Sequence, residues 1–240
     1  MSYPRVLLAM PCLHGIARMG AMKTMAEVAV ALFNSGCAVA TAVIAPTDVV
    51  LARNYMAGTA LAEGYTHLFL LEPEMMFPAR YAIKMFKAEK DVVGLVHPHA
   101  RLDLKKLVRT ARAEPQLPEA IVSAKAQDYA MRVTAPTRFA DRLGIVAGVG
   151  AGALMIRTSA LKALADSGRA VAHPPLPNLV GPAMPHWGFF DPFEENGQNL
   201  VDAFAFCARW RTEGGDVWAL AEPGVSRIDD FDYVGDMLAN

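Results

Sequence analysis

The first hundred residues alternate short apolar runs with helical stripes, and few folds accept that order. Val6-Leu7-Leu8-Ala9-Met10 carries no polar side chain on either alternating face, as in a strand buried on both sides, and Pro11 ends it. Met22, Met25, Ala29, Leu32 and Phe33 share one helical stripe, which Gly36 is placed to stop. A second strand spans Val39 to Ala45. Thr47 or Asp48 then caps a helix running to about Glu63, with Gly64 past its end. His67 to Leu71 is a third apolar strand, Pro78 opens a helix to Lys87, and Asp91 to Val96 is a fourth strand. Strand and helix in turn predict a parallel sheet with crossover helices. Ligands bind beyond the carboxyl ends of such strands, so chemistry is expected at 11–20, 46–48, 72–77 and 97–101.

The second half is less regular. Arg101 to Arg112 is basic and partly helical, Tyr129 to Thr134 reads as a strand, and glycines at 144–152 approach an apolar strand, Ala153-Leu154-Met155-Ile156. Ser159 caps a short helix, Leu200 to Thr212 is helical, and Val217 to Leu220 is a strand. His173 to Phe193, rich in Pro, Gly and aromatics, reads as a long loop of the kind that lies over sites. The two halves read as a nucleotide-type half, 1–100, and an acceptor-type half, 101–240, of one domain spanning 1–240.

Charge and cysteine content narrow the function classes. Lys and Arg number 23 and Asp and Glu 24, so no overall basic field points to nucleic acid. The three cysteines, Cys12, Cys37 and Cys207, have neither disulfide-framework nor metal-finger spacing. The apolar run near the start is too short for a signal peptide, and no stretch reaches the roughly 18 apolar residues of a membrane span. A cytoplasmic location is the expectation. The 53% apolar content leaves room for a homo-oligomer interface.

The most informative segment is Thr66-His67-Leu68-Phe69-Leu70-Leu71-Glu72-Pro73-Glu74, an apolar strand ending in two carboxylates one residue apart. Such a pair suits a divalent cation that neutralises a diphosphate. Taken alone, it more often caps the next helix or faces solvent.

Several segments in order shift that weighing. Leu8-Ala9-Met10-Pro11, Ala52-Arg53-Asn54, the Glu72-Pro73-Glu74 strand, Val93-Gly94-Leu95-Val96-His97-Pro98-His99-Ala100-Arg101, Gly150-Ala151-Gly152-Ala153-Leu154-Met155-Ile156-Arg157 and Asp202-Ala203-Phe204-Ala205-Phe206-Cys207-Ala208-Arg209 together span nearly the whole chain. In that order the chain resembles the GT-A type glycosyltransferases, especially the small glycosyltransferase-like proteins of phages and bacteria. The resemblance implies an α/β, Rossmann-like GT-A fold with a mixed central sheet flanked by helices. It implies transfer of a sugar from a nucleotide-sugar donor, with Mn or Mg as a divalent metal. The acceptor it leaves open, a glycan or phage DNA.

The resemblance also assigns roles. Pro11 borders the base, Asp48 holds base or ribose, and Arg53 with Asn54 approaches the diphosphate. Glu72 and Glu74 hold metal or sugar hydroxyls. The family's catalytic or acceptor-binding Asp falls at Ala203, which leaves Asp202 as the candidate general base or, equally, as a helix N-terminal carboxylate favoured by the dipole. The sequence departs from the family in three places. The Asp-x-Asp motif is Glu72-Pro73-Glu74, the Glu-Asp pair is Asp202-Ala203, and the late metal-ligating His falls near Arg227-Ile228-Asp229-Asp230. Arg227 cannot ligate a cation but can neutralise phosphate, and Asp229 or Asp230 can supply a ligand in its place. These changes keep a second function open, a degenerate binding or structural module without turnover, and a third, a nucleotidyltransferase.

Other residues carry weaker signals. Trp187 in the long loop is placed to stack on an acceptor sugar, or to pin the loop to the core. Glu194 and Glu195 either replace Asp202 or are solvated loop charges. His97 and His99 read as loop residues near the ligand rather than zinc ligands. Cys12 and His14 lack an oxyanion signature. Gly148-Val149-Gly150-Ala151-Gly152 leads into a strand, unlike a dinucleotide fingerprint. Lys105, Lys106, Arg109 and Arg112 form a basic helical face, solvated or set against an anionic acceptor.

Overall fold

The computed structural model describes residues 3–45, 48–133, 137–174, 186–228 and 232–238, with backbone alone at 232 and 233. The central sheet has seven strands, numbered here in chain order. They are β1 (Arg5–Pro11), β2 (Ala38–Ile44), β3 (His67–Leu71), β4 (Val92–Leu95), β5 (Leu143–Val146), β6 (Ala153–Arg157) and β7 (Val217–Leu220). Their order across the sheet is β2-β1-β3-β6-β4-β7-β5. The first three are mutually parallel where they pair. β6 runs antiparallel between β3 and β4, and β7 lies parallel to β4 and antiparallel to β5. The sheet is therefore mixed. The four early strands share a direction, but β4 does not neighbour β3, because β6 is inserted between them.

Seven α-helices are present among the described residues. They are α1 (Met19–Asn34), α2 (Val49–Ala62), α3 (Arg80–Lys87), α4 (Leu104–Ala113), α5 (Glu119–Ala126), α6 (Thr158–Asp166) and α7 (Asp202–Thr212). None is long and apolar enough to cross a membrane. The unbroken apolar run of β1 now has its reason. Leu7 and Ala9 join a core with Met56 of α2, Leu161 of α6 and Phe206 of α7. Val6, Leu8 and Met10 join the opposite core with Met25, Val28 and Leu32 of α1 and Tyr81 and Met85 of α3. Helices cover both faces, which is why β1 reads as one continuous apolar run rather than an alternating one.

Local signals fix several ends. Asp48 caps α2, its Oδ1 accepting from the Leu51 N–H at 2.8 Å. Gly36, at φ +87°, turns the chain out of α1 in a conformation that favours glycine. Two elements depart from expectation. The 101–112 segment divides into a strand, Pro98–Leu102, and α4, and α5 follows it. Within the expected long loop, Ala172–His173 pairs antiparallel with His186–Trp187. Pro46, Thr47, Asp229 and Asp230 lie outside the described residues.

Candidate functional site

The carboxyl end of β3 is where the structure gathers charge. Pairing with β6 continues one step past Leu71, because the Glu72 N–H donates to Gly152 O at 2.9 Å. Beyond Pro73 the chain enters a short strand, Met75–Met76, paired with Val225–Ile228 so that Arg227 stands opposite Met75. The Ile228 N–H donates to Glu74 O at 2.9 Å and locks that register. Arg227 is thereby delivered to the carboxylate pair from 155 residues further along the chain.

Glu72 is shared by two guanidiniums. Its Oε1 accepts from Arg53 Nη2 at 2.8 Å and its Oε2 from Arg227 Nη1 at 2.9 Å. Arg53, on the second turn of α2, also donates from Nη1 to Asp202 Oδ2 at the start of α7. Arg227 Nη2 lies 3.9 Å from Glu74 Oε2. The Arg53 side chain is 2% exposed and that of Glu72 15%, so this chain of ion pairs sits in a low-dielectric place where each charge needs its partner. Asp202 itself holds φ +55°, left-handed backbone that costs a non-glycine residue energy and clusters at functional sites.

The carboxylates respond in opposite directions. Burial alone would raise Glu72, but the Arg53 and Arg227 guanidiniums outweigh it and hold the group below its ordinary value. Asp202 is raised, because burial and the nearby Glu72 charge exceed what one guanidinium returns. Three buried polar atoms in this cluster have no hydrogen-bond partner among the described residues: Arg53 Nε, Arg227 Nε and Asp202 Oδ1.

His97 forms the floor beside Glu72. It is 2% exposed, and burial holds its imidazole below the ordinary value although Glu72 pulls the other way. The Gly152 N–H donates to Nε2 at 3.3 Å, which places the ring proton on Nδ1, 3.2 Å from Pro98 O. The glycine run now has a cause. A Cβ at Gly152 would meet the His97 ring at 2.5 Å, and one at Gly150 would meet it at 2.8 Å. His97 is thus a buried neighbour of the carboxylate cluster rather than an exposed loop residue, and alternating glycines beside an apolar strand were its sequence signal.

Of the residues expected in the site, Arg53, Glu72, Glu74, Asp202 and Arg227 converge. The others do not join their ion pairs. Pro11 ends β1, buried, and Asp48 is exposed and spent on capping α2. Asn54 is buried and turned toward the 186–191 segment. Its Nδ2 donates to Asp191 Oδ1 at 2.6 Å, and its Oδ1 accepts from the Phe190 N–H at 2.9 Å. Asp191 also holds His173 Nε2 at 2.6 Å, a positioning role that no local pattern announced. Trp187 is half-buried and tilted on Phe189 at 6.0 Å, while Phe190 stacks on Phe206 at 5.1 Å. These aromatics pin the segment to the core. Glu194 is exposed on a hairpin, Phe193–Glu195 with Gln198–Leu200. Cys12 is buried, and burial pushes its thiol up, which leaves it a poor nucleophile.

The residues present do not fit a divalent cation. Both oxygens of Glu72 already receive guanidinium protons, and a cation there would sit against two permanent positive charges. Among the described residues no group of three or more His, Cys, Asp or Glu side chains could hold a metal ion. What the cluster can do is bind an anion with oriented N–H donors and offer a buried carboxylate oxygen as proton acceptor.

No protein-family model matches the sequence, and no curated protein matches it. Among solved structures, the chain is similar to A197 from STIV, with a TM-score of 0.50 and 13% identity over 96% of this chain and 94% of that one. At that identity the likeness is one of fold, and it extends the mixed α/β arrangement over nearly the full length of both proteins.

Proposed function

We propose that this protein is a GT-A type glycosyltransferase that binds a nucleotide-sugar donor with guanidiniums in place of a metal. The observation that supports this reading is the set of three unpartnered buried atoms at the end of β3. Two are N–H donors on arginines and one is a carboxylate oxygen. Leaving such a group unpaired costs about 1–3 kcal/mol, so three in one cluster suit a ligand that pairs them. The donor diphosphate would accept from the Nε–H groups of Arg53 and Arg227.

In the transfer, an acceptor hydroxyl oxygen bonds to the anomeric carbon while the bond from that carbon to the β-phosphate oxygen breaks. The bonding electrons leave with the nucleoside diphosphate, whose growing charge the two arginines stabilise. The hydroxyl proton passes to Asp202 Oδ1, a carboxylate made more basic by burial while its Oδ2 stays on Arg53.

Thermal denaturation with a panel of nucleoside diphosphates and nucleotide sugars tests the reading, with and without a chelator. At least one nucleotide sugar is expected to raise the midpoint, equally in chelator, and Arg227→Ala to abolish the rise. Asp202→Asn should keep binding while losing donor turnover by about a hundredfold or more. No shift with any donor would overturn the proposal. Ala203 favours a second reading. It stands where the family has an acid and is instead buried in the core. Donor binding with no donor hydrolysis would assign the protein as a binding module.

A further inference from the structure

Helix α1 is apolar on two opposite sides. Ala21, Met25, Val28 and Leu32 are buried against the sheet. The single stripe expected of Met22, Met25, Ala29, Leu32 and Phe33 is split: on the far side Met19 is 87% exposed, Val30 60% and Phe33 69%, with Met22 and Ala26 also exposed between them. An exposed contiguous apolar stripe of this kind marks an interaction surface. The outer stripe is regular. Met19, Ala26 and Phe33 recur every seven residues, Met22 and Val30 flank Ala26, and the helix is about 24 Å long. Leu13 and Ile16, in the segment leading to the helix, are exposed as well.

We infer that a second copy of this chain covers the stripe, α1 against α1, antiparallel about a two-fold axis at Ala26. That axis makes the stripe self-complementary. Phe33 of one copy meets Met19 of the other, a contact between a ring and a flexible thioether. Met22 meets Val30, and the smallest side chain, Ala26, meets itself where the helices cross most closely. Charge selects the direction. Lys23 and Glu27 share one flank of the stripe, where they pair within the helix at 3.6 Å. Antiparallel packing sets Lys23 of each copy within two residues' rise, about 3 Å along the axis, of Glu27 of the other. Parallel packing would set the two Lys23–Glu27 flanks on opposite sides of the interface, where neither reaches the other, so only the antiparallel arrangement uses this charge pair. The inference rests on α1 alone and is independent of the donor site.

Sedimentation velocity of the full chain tests it across a micromolar concentration series. The expected species is twice 25.9 kDa. Ala26→Glu sets two carboxylates against each other at the axis and should weaken association by more than about tenfold. Its circular dichroism should not change, because Ala26 is exposed and belongs to neither face of the core. Cross-linking reads the direction. Ala26→Cys should form a disulfide-linked dimer under mild oxidation and Phe33→Cys should not, against a low background, because Cys12, Cys37 and Cys207 are all buried. A monomer at every concentration overturns the inference, as does a dimer indifferent to Ala26→Glu. Self-linking of Phe33→Cys overturns the antiparallel arrangement. A monomer that co-sediments with phosphatidylcholine vesicles overturns the inference and gives the face to a membrane.

Discussion

Glu72 holds the site's charges together, because its two oxygens bind guanidiniums carried by different parts of the chain. Glu72→Gln would leave Arg53 and Arg227 each short of a negative partner in a buried place. Removing one member of such a pair costs about 3–5 kcal/mol, so a loss near the lower figure is expected in urea denaturation at neutral pH. The pH dependence has a definite sign. Glu72 is held below its ordinary value, so its contribution is present above the unfolded value and is lost as pH falls through the lowered folded one. Asp202 is raised, so its contribution is present below the unfolded value and fades as pH rises through the folded one. Glu72→Gln should therefore unfold less steeply in acid than the parent, and equal acid slopes would contradict this account. At this scale the sequence was informative where a charged residue sits just past a strand, as with Glu72, or at a helix start, as with Asp202. It was silent on Asp191, and it set Asn54 beside the diphosphate when Asn54 turns instead to Asp191, a contact between residues 137 apart that follows no spacing rule. Trp187 and Glu194 were legible only as residue types, and type does not say which way a side chain turns.

Between elements, the controlling contact is that of β6 and its glycine approach with His97. Gly152→Ala would drive a methyl group into a ring held at both nitrogens, and overpacking of this kind costs about 1–3 kcal/mol. If the His97 ring is the obstacle, Gly152→Ala should cost less in a His97→Ala background, and thermal denaturation of the four proteins gives that coupling. Additive losses would show that the glycine serves something else. The insertion of β6 marks where reading by pattern stops. β1, β2 and β3 with α1, α2 and α3 follow from alternating periods, because each is a run bounded by Pro, Gly or a cap. Ala153-Leu154-Met155-Ile156 reads equally well as a parallel or an antiparallel strand, and its apolar run does not name its neighbours. α5 escaped notice because eight residues give too little periodicity against a polar background.

Across the whole molecule, the ion-pair chain joins α2, the end of β3, α7 and the strand carrying Arg227, which are otherwise separate stretches of polypeptide. Bound diphosphate that engaged both arginine Nε–H groups would tighten all four together, because each charge is positioned by the next. Hydrogen exchange should therefore show amides at 50–56, 72–77, 202–206 and 225–228 gaining protection in concert when a nucleotide-sugar donor binds. α4 supplies the internal control. It has no buried residue, and its last-turn and first-turn ends are not tied to the cluster, so its amides should exchange early and be unmoved by the donor. Protection confined to one of the four segments would mean that the arginines do not act as one site. The order of the motifs predicted that these segments would meet at one end of the sheet. How they meet follows from the register of Met75 with Arg227 and from the two-sided grip on Glu72, both set by tertiary packing.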